Sequence, residues 1–266
     1  MMVPKNALKA RLAQGLPCFG TWLHSASPSV AEMVGYAGLD FAIIDLEHGP
    51  GDVDTARAMM QAMAAGGTTP MVRVPSGDPI FLKRVVDAGA QTLLIPMVDT
   101  AEEAKRIVDA CLYPPRGQRG DASIVVRGSR YGLIEDYMAH AHEEMLIVPQ
   151  IETVAAVAQA GAIAAVAGVD MVFIGPADLS GSAGLPGQTG APEVERLIAH
   201  AVAAIRAAGK PIGTVPRDGK SWRDLFVEGY ALVAAGCDLI HIRDAVLAQA
   251  GEWRRHLDES GRSKHP

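Results

Sequence analysis

The chain has 266 residues, the size of one (β/α)₈ barrel, so we expect a single domain over residues 1–266. Its composition is 49% hydrophobic and 20% charged, which excludes a disordered chain because enough apolar surface exists to form a core. With 24 Lys and Arg against 30 Asp and Glu, the net charge is −6, which argues against a nucleic-acid partner, since such partners bind basic patches.

The amino terminus carries charges without an apolar segment, and the most apolar region, 154–174, is interrupted by glycines and Asp170. Neither stretch is typical of a signal peptide or a membrane span, so we expect a soluble, cytoplasmic protein with no membrane partner. The cysteines, Cys18, Cys111 and Cys237, are far apart and form no C-x-x-C pair. This spacing predicts buried packing thiols in a reducing compartment rather than a disulfide framework or a zinc site.

One sequence pattern recurs along the chain: an alanine-rich amphipathic stretch, a glycine, one or two polar residues and a short β-branched run. The glycine stands where a helix ends in a left-handed residue, and the run suits a strand covered on both faces. The glycines concerned are Gly38, Gly89, Gly168, Gly209 and Gly236.

Together with the apolar runs that lack this lead-in, the pattern predicts eight strands, at 19–24, 41–46, 70–74, 93–97, 145–151, 171–175, 211–215 and 238–243. Helical patterns fill the intervals, at 28–37, 52–65, 79–88, 101–111, 154–167, 193–208, 222–235 and 244–257. This alternation predicts an α/β fold, a closed parallel (β/α)₈ TIM barrel. A doubly wound open sheet is disfavoured because no G-x-G-x-x-G turn follows the first strand.

An oversized connection, residues 112–143, separates the predicted strands four and five. Long insertions in a compact domain usually serve function or an interface. The arginines in this connection are Arg116, Arg119, Arg127 and Arg130. Three interpretations stay open: they bind an acidic substrate tail, tie subunits together, or are merely solvated.

Polar side chains collect where the predicted strands end, which is the catalytic face of such a barrel. In chain order they are His24, Asp45, Glu47, His48, Arg73, Asp99, Gln150, Glu152, Asp178, His241, Arg243 and Asp244. Carboxylates gathered at one end of an apolar barrel need a counter-charge, because repulsion and desolvation raise their pKa. Glu152 and Asp178 follow adjacent strands and suit Mg²⁺ or Mn²⁺, although either side chain alternatively caps the helix that follows it.

His48 precedes Gly49 and Pro50, which end the strand in a tight turn. A histidine there is either a hydrogen-bonded structural residue or an acid–base group whose basicity the neighbouring carboxylates raise. Arg73 lies in an otherwise apolar strand and needs an anion, from the protein or from a substrate. No lysine is placed for Schiff-base chemistry, so the sequence favours a metal as the electrophile.

Six motifs occur in order: IIDLEHGP, PMVRVP, DAGAQTLLIPMVDTAEEA, YPPRGQRG, PQIET and VFIGPADLSGSAG. Together they resemble the HpcH/HpaI family of class II pyruvate aldolases, and the similarity covers nearly the whole chain. The resemblance implies a barrel of the phosphoenolpyruvate/pyruvate type whose final helix packs on a neighbouring subunit. It also implies a homo-oligomer, a hexamer built as a trimer of dimers, and a role in aromatic catabolism.

The resemblance gives each site residue a role. Glu152 and Asp178 resemble the ligands of a divalent cation, Mg²⁺, Mn²⁺ or Co²⁺. Arg73 resembles the arginine that binds the keto oxygen of pyruvate, while His48 resembles the acid–base histidine and Asp87 its carboxylate partner. Asp45 and Glu47 are expected to support these residues indirectly. The expected substrate contacts are Arg73, Gln150, Gly175, Pro176, Ala177, Trp22 and Val215.

The implied reaction is the reversible cleavage of a 4-hydroxy-2-oxo acid to pyruvate and an aldehyde, through a pyruvate enolate stabilised by the metal and Arg73. Either His48 or a metal-bound water or hydroxide removes the methyl proton. Two alternatives stay open: an acyl-CoA lyase, acting on citryl-CoA or malyl-CoA with the same chemistry, and a non-catalytic barrel. The non-catalytic barrel is disfavoured because it gives the clustered charges no purpose.

Overall fold

The computed structural model describes residues 1–260, in which strands and helices alternate; 261–266, the end of the predicted single domain, lie outside the described residues. Eight parallel strands close into a barrel in sequence order, which confirms the predicted (β/α)₈ fold. The strands are β1 Cys18–Leu23, β2 Phe41–Asp45, β3 Thr69–Arg73, β4 Thr92–Ile95, β5 Leu146–Ile151, β6 Val172–Ile174, β7 Ile212–Thr214 and β8 Leu232–Cys237.

The helices are α1 Ala7–Ala13, α2 Pro28–Gly35, α3 Val53–Met63, α4 Pro79–Asp87, α5 Ala101–Cys111, α6 Tyr137–His140, α7 Val154–Ala165, α8 Pro176–Ser182, α9 Pro192–Ala207, α10 Trp222–Val227 and α11 Asp238–Glu259. Most of them begin at a side-chain cap; Thr100, for example, forms a reciprocal capping box with Glu103 at the start of α5. Within residues 1–260, no helix is both long enough and apolar enough to cross a membrane.

Two apolar layers hold the barrel together. Inside it, strand residues meet around the buried rings of Phe41 and Phe173, and Leu8 of α1 joins this cluster at the amino ends of the strands. The opposite face of each strand packs against the helices, in a second cluster that includes Leu82 and Leu93. Strands buried on both faces have nearly uninterrupted apolar sequences, which is why the positions of β1 to β7 could be predicted.

The last strand and helix lie elsewhere than the sequence predicted. Residues 238–243, predicted as strand eight, form the start of α11, and β8 overlaps the end of the predicted helix 222–235. The left-handed residue after α10 is Gly229, with φ +85°, whereas Gly236 lies within β8 itself. The prediction was wrong because the helix ends at Gly229 and not at Gly236, so the strand begins at Leu232, six residues before the predicted start. His241 and its charged neighbours are therefore exposed on α11.

A bulge distinguishes β8 from the other strands. The register against β1 shifts between Gly20 and Trp22, where β8 has one residue more. Gly236 absorbs this residue at φ +81°, and a Cβ at that position would come within 2.5 Å of a histidine ring on α11. Bulges re-aim neighbouring side chains, and this one ends β8 with Cys237 paired to Trp22 of β1.

The long connection 112–143 lies at the amino ends of the strands, because it leaves the end of α5 and enters the start of β5. Nη2 of its buried Arg119 lies 2.5 Å from Oδ1 of Asp87, and the guanidinium stacks 4.3 Å from the ring centroid of Tyr113. Arg127 donates to the backbone oxygen of Ala88 at 2.9 Å. Both arginines thus stabilise the connection against the barrel, at the end away from the strand-end carboxylates.

The 22-residue helix α11 leaves the barrel with an apolar face exposed, and within it only Asp238 is buried. Its large exposed apolar residues are Leu239, Ile240, Ile242, Val246, Leu247 and Trp253. Such a face usually marks a contact with another protein surface. The packing of this helix on a neighbouring subunit stays a prediction.

Candidate active site

A buried ion pair lies at the carboxyl ends of β2 and β3, the end of the barrel called the mouth below. Asp45 and Arg73 are register partners, and Nε and Nη2 of the guanidinium donate to the two carboxylate oxygens at 2.8 and 2.7 Å. Nη1 lies 3.0 Å from Oε2 of Glu47, and the Trp22 ring centroid is 4.4 Å from the guanidinium carbon. The guanidinium is therefore held in one orientation, with N–H groups left over for a ligand.

Asp45 also contacts His24, whose Nε2 lies 2.8 Å from Oδ2 of the carboxylate. Burial by itself disfavours the ionised carboxylate, but hydrogen bonds from His24 and Arg73, together with the charge of Arg73, hold the pKa of Asp45 well below its usual range. Asp45 thus stays ionised and links a histidine to the arginine at the mouth.

Glu152 follows β5 and is only 1% exposed. Its carboxylate accepts a hydrogen bond from the backbone N–H of Met97 at 2.7 Å and another from the side-chain amide of Gln150. Gly175 permits this packing, since a Cβ there would lie 2.8 Å from Oε2 of Glu152 and 2.7 Å from Nε2 of Gln150. Burial, assisted by the charges of Asp178 and Glu47, raises the pKa of Glu152 to about 7.

These residues fit a hard divalent cation. Asp178, exposed in the first turn of α8, lies near enough for its charge to act on Glu152. Burial also raises the pKa of Glu47, despite the neighbouring charge of Arg73. The buried Oε1 of Gln150 has no hydrogen-bond partner in the described part of the chain. An oxygen-only donor set with surplus negative charge is what Mg²⁺ and Mn²⁺ prefer.

His48 lies in the turn after β2, with its imidazole 62% exposed and Nε2 3.9 Å from Oε2 of Glu47. Asp87, predicted as its carboxylate partner, lies instead at the end of α4 beside Arg119. Because α4 returns the chain to the start of β4, its last residue is at the opposite end of the barrel from His48. The predicted His48–Asp87 pair is therefore not formed within one chain, and Glu47 is the carboxylate beside His48.

The remaining predicted contacts lie at or just below the mouth. Pro176 and Ala177 begin α8, whose first amides have no carbonyl partner within the helix. Trp22 is buried between Arg73 and the interior ring of Phe173. Val215 follows β7 and packs against the interior cluster.

Two further residues, Cys237 and Asp238, lie at the mouth, although the sequence did not predict them there. Asp238, the first residue of α11, accepts hydrogen bonds from the backbone N–H groups of His24 at 2.8 Å and Ser25 at 3.1 Å. Sγ of Cys237 lies 3.1 Å from Nδ1 of His24. The misplaced eighth strand concealed both residues. Gly229 was the available signal, since ending the helix there moves the strand to its true position.

Comparisons with known proteins identify relatives over most of the chain. The sequence profile of the family described as HpcH/HpaI aldolase/citrate lyase matches residues 18–245. A hydroxypyruvate/pyruvate aldolase of Delftia acidovorans is 41% identical over 257 residues, which are 96% of this chain and 94% of that protein. A 2-keto-3-deoxy-L-rhamnonate aldolase of Salmonella gallinarum is 42% identical over 241 residues, 91% of this chain and 90% of that protein.

Among solved structures, an HpcH/HpaI aldolase/citrate lyase family protein from Burkholderia cenocepacia superposes with a TM-score of 0.89 at 35% identity. The match covers 94% of this chain and 100% of that chain. This chain is therefore similar to these relatives both in sequence and in the fold of the barrel.

Proposed function

This chain belongs to the HpcH/HpaI aldolase/citrate lyase family, and we propose that it is a divalent-metal-dependent aldolase that reversibly cleaves 4-hydroxy-2-oxo acids to pyruvate and an aldehyde. Its relatives are named aldolases, which are carbon–carbon lyases. One observation carries the proposal: Arg73, fixed by Asp45 and Glu47, shares the mouth with the buried carboxylate of Glu152. A bound cation and a positioned guanidinium can together stabilise the negative charge that develops on the 2-oxo oxygen during the reaction.

Glu152 and Asp178 would hold the cation, with Gln150 beside them as an additional oxygen donor. Once bound, a divalent cation polarises the 2-oxo group and thereby acidifies the carbon next to it. The first amides of α8, at Ala177 and Asp178, are suited to the carboxylate of the substrate, since helix N-termini favour anions.

Arg73 contributes N–H donors at the 2-oxo oxygen, where negative charge collects as the C3–C4 bond breaks. Because Asp45 and Trp22 already fix the guanidinium, these donors need little reorganisation when that charge develops. Trp22 and Val215 border the space at the mouth and are the proposed contacts of the aldehyde portion.

His48 is the proposed base for the hydroxyl proton of the substrate. In cleavage, the proton leaves O4, the O–H electrons form the aldehyde carbonyl, the C3–C4 pair forms a C2=C3 bond, and the carbonyl π pair moves onto the 2-oxo oxygen. C3 then takes up a proton as the 2-oxo group re-forms, which gives the methyl group of pyruvate. Glu47 is the carboxylate beside this imidazole, with Oε2 3.9 Å from Nε2.

No observation favours an acyl-CoA lyase. An acyl-CoA lyase needs a basic surface for the nucleotide, but the arginine-bearing 112–143 connection lies at the amino ends of the strands, and its Arg119 and Arg127 contact Asp87 and Ala88. We further propose that the apolar face of α11 packs on a second copy of the chain, as the predicted homo-oligomer requires. Light scattering of the full chain tests this, because a monomer at micromolar concentration would contradict it.

The experiment that tests the function measures pyruvate release with coupled lactate dehydrogenase, across 4-hydroxy-2-oxo acids of different tail length and charge. We expect a chelator to abolish release and Mg²⁺, Mn²⁺ or Co²⁺ to restore it. Full activity in the chelator would exclude the cation, and release of free coenzyme A from an acyl-CoA, without activity on any hydroxy-oxo acid, would exclude the aldolase.

A further inference from the structure

Three side chains at the carboxyl ends of β1 and β8 form a ligand group of their own. Candidate ligand atoms of His24, Cys237 and Asp238 all lie within 4.8 Å of one another. Nδ1 of His24 is 3.1 Å from Sγ of Cys237, which is 3.5 Å from Oδ1 of Asp238. Ligands of one tetrahedral zinc ion lie about 3.5 Å apart, given bonds of about 2.0–2.3 Å, so small side-chain adjustments would accommodate such an ion.

The histidine presents the nitrogen that a metal needs. Nε2 of His24 is 2.8 Å from Asp45, a carboxylate that also pairs with Arg73 and therefore only accepts hydrogen bonds. Nε2 therefore faces the acceptor Asp45, and Nδ1, 3.1 Å from Sγ of Cys237, is the ring nitrogen available to a metal. A carboxylate on the far ring nitrogen is the arrangement that orients histidine ligands in zinc sites.

The backbone holds the group together. The bulge at Gly236 brings Cys237 to the end of β1, and Asp238 is fixed by the amides of His24 and Ser25. Cys237 and Asp238 are buried, while the His24 side chain is 25% exposed and gives access from the mouth. Three protein ligands with one open side match a cation site that also accepts water or a small molecule.

The donors differ in kind from the oxygen-only set around Glu152. Imidazole and thiolate select zinc-like cations, whereas carboxylate and amide oxygens suit magnesium and manganese. We propose that His24, Cys237 and Asp238 form a second cation site, specific for thiophilic divalent ions of the zinc class. On binding, the thiol of Cys237 loses its proton to solvent and the sulfur donates to the metal.

The test is a titration of the chelator-treated full chain with Co²⁺ alone. The readout is the thiolate-to-cobalt charge-transfer absorption in the near ultraviolet. We expect this band to rise to a plateau and to persist with excess Mg²⁺; Co²⁺ bound at the oxygen donors around Glu152 contributes no such band, because that site has no thiolate. Cys237→Ser should abolish it, and His24→Gln should weaken cobalt binding at least tenfold. Wild-type protein that shows no band would overturn the proposal without recourse to any variant.

The other two cysteines provide matched controls, since Cys18 and Cys111 are also buried and free. Cys18→Ser and Cys111→Ser should keep the band, and its loss in either variant, with Cys237→Ser unaffected, would place the sulfur ligand elsewhere and refute the site. Glu152→Gln separates this inference from the proposed function, because it should lose pyruvate release yet keep the charge-transfer band.

Discussion

Arg73 and Asp45 face each other from adjacent strands, and the guanidinium reaches both carboxylate oxygens, at 2.8 and 2.7 Å. A lysine at position 73 keeps the charge but cannot form this two-point contact. We expect Arg73→Lys to reduce kcat for pyruvate release by about 10²–10³, the usual effect of losing one oxyanion donor, while cation binding is retained. Steady-state kinetics and calorimetric metal titration measure the two effects. Arg57→Lys, on the exposed face of α3, is the control and should leave kcat unchanged.

Removing the charge of Asp45 should destabilise the fold. Asp45→Asn removes the carboxylate that both Nε and Nη2 of the buried Arg73 contact and leaves the guanidinium only the anion of Glu47; breaking such a buried pair costs about 3–5 kcal/mol in the free energy of unfolding. Urea denaturation measures this loss. Asp54→Asn removes the partner of Arg57 in an exposed pair and should change stability by less than about 1 kcal/mol. Equal losses in the free energy of unfolding for the two substitutions would show that the buried pair stabilises the fold no more than the exposed pair does.

The raised pKa of Glu152 predicts a pH-dependent stability in the metal-free protein. Between the ordinary pKa of 4.5 and the folded value of about 7, the folded state binds a proton that the unfolded chain has lost. The contribution of Glu152 to the free energy of unfolding therefore falls by about 3 kcal/mol as pH rises through this window, and it does not change further above the window.

Urea unfolding in a chelator at pH 5 and pH 8 measures this fall. Glu152→Gln cannot ionise, so the difference in slope between this variant and wild type isolates the contribution of Glu152 from those of the histidines. Identical slopes would contradict the raised pKa.

Gly175 offers a steric test of the site. Alanine at this position would place its Cβ 2.7 Å from Gln150 and 2.8 Å from Glu152, so we expect both side chains to move and pyruvate release to fall at least tenfold. Gly181→Ala is the matched control, because its Cβ would meet no atom within 4 Å. Activity assays and circular dichroism on both variants separate a local effect from a failure to fold. Unchanged activity in Gly175→Ala would show that the packing around Glu152 is not needed.

The barrel was predictable because its strands are buried on both faces and give short apolar runs. Where such a run ends, the polar residue that follows lies at the mouth, which is how Asp45, Arg73 and Glu152 could be located. Whether these side chains contact each other depends on register, and the Asp45–Arg73 pairing exists only because the two residues are directly opposed.

Two features escaped sequence reasoning for identifiable reasons. Gly229 and Gly236 each lie beside or within an apolar stretch of the sequence. Only the folded chain shows that Gly229 follows a helix, whereas Gly236 forms a bulge in β8. Asp87 ends a helix, and helices in this fold return the chain to the far end of the barrel. A motif match identifies Asp87 as a candidate without placing it in the fold. The sequence alone therefore could not show whether Asp87 lies near His48.

The hydrogen bonds from His24 and Ser25 to Asp238 join residues 214 and 213 positions apart in sequence. Contacts of such long range form only when the intervening chain has already condensed, because closing a large loop costs entropy that other contacts must first offset. Slow hydrogen exchange at these two amides therefore reports that the ring of strands is complete, and any treatment that separates the first strand from the last should accelerate exchange there before it affects the middle of the barrel.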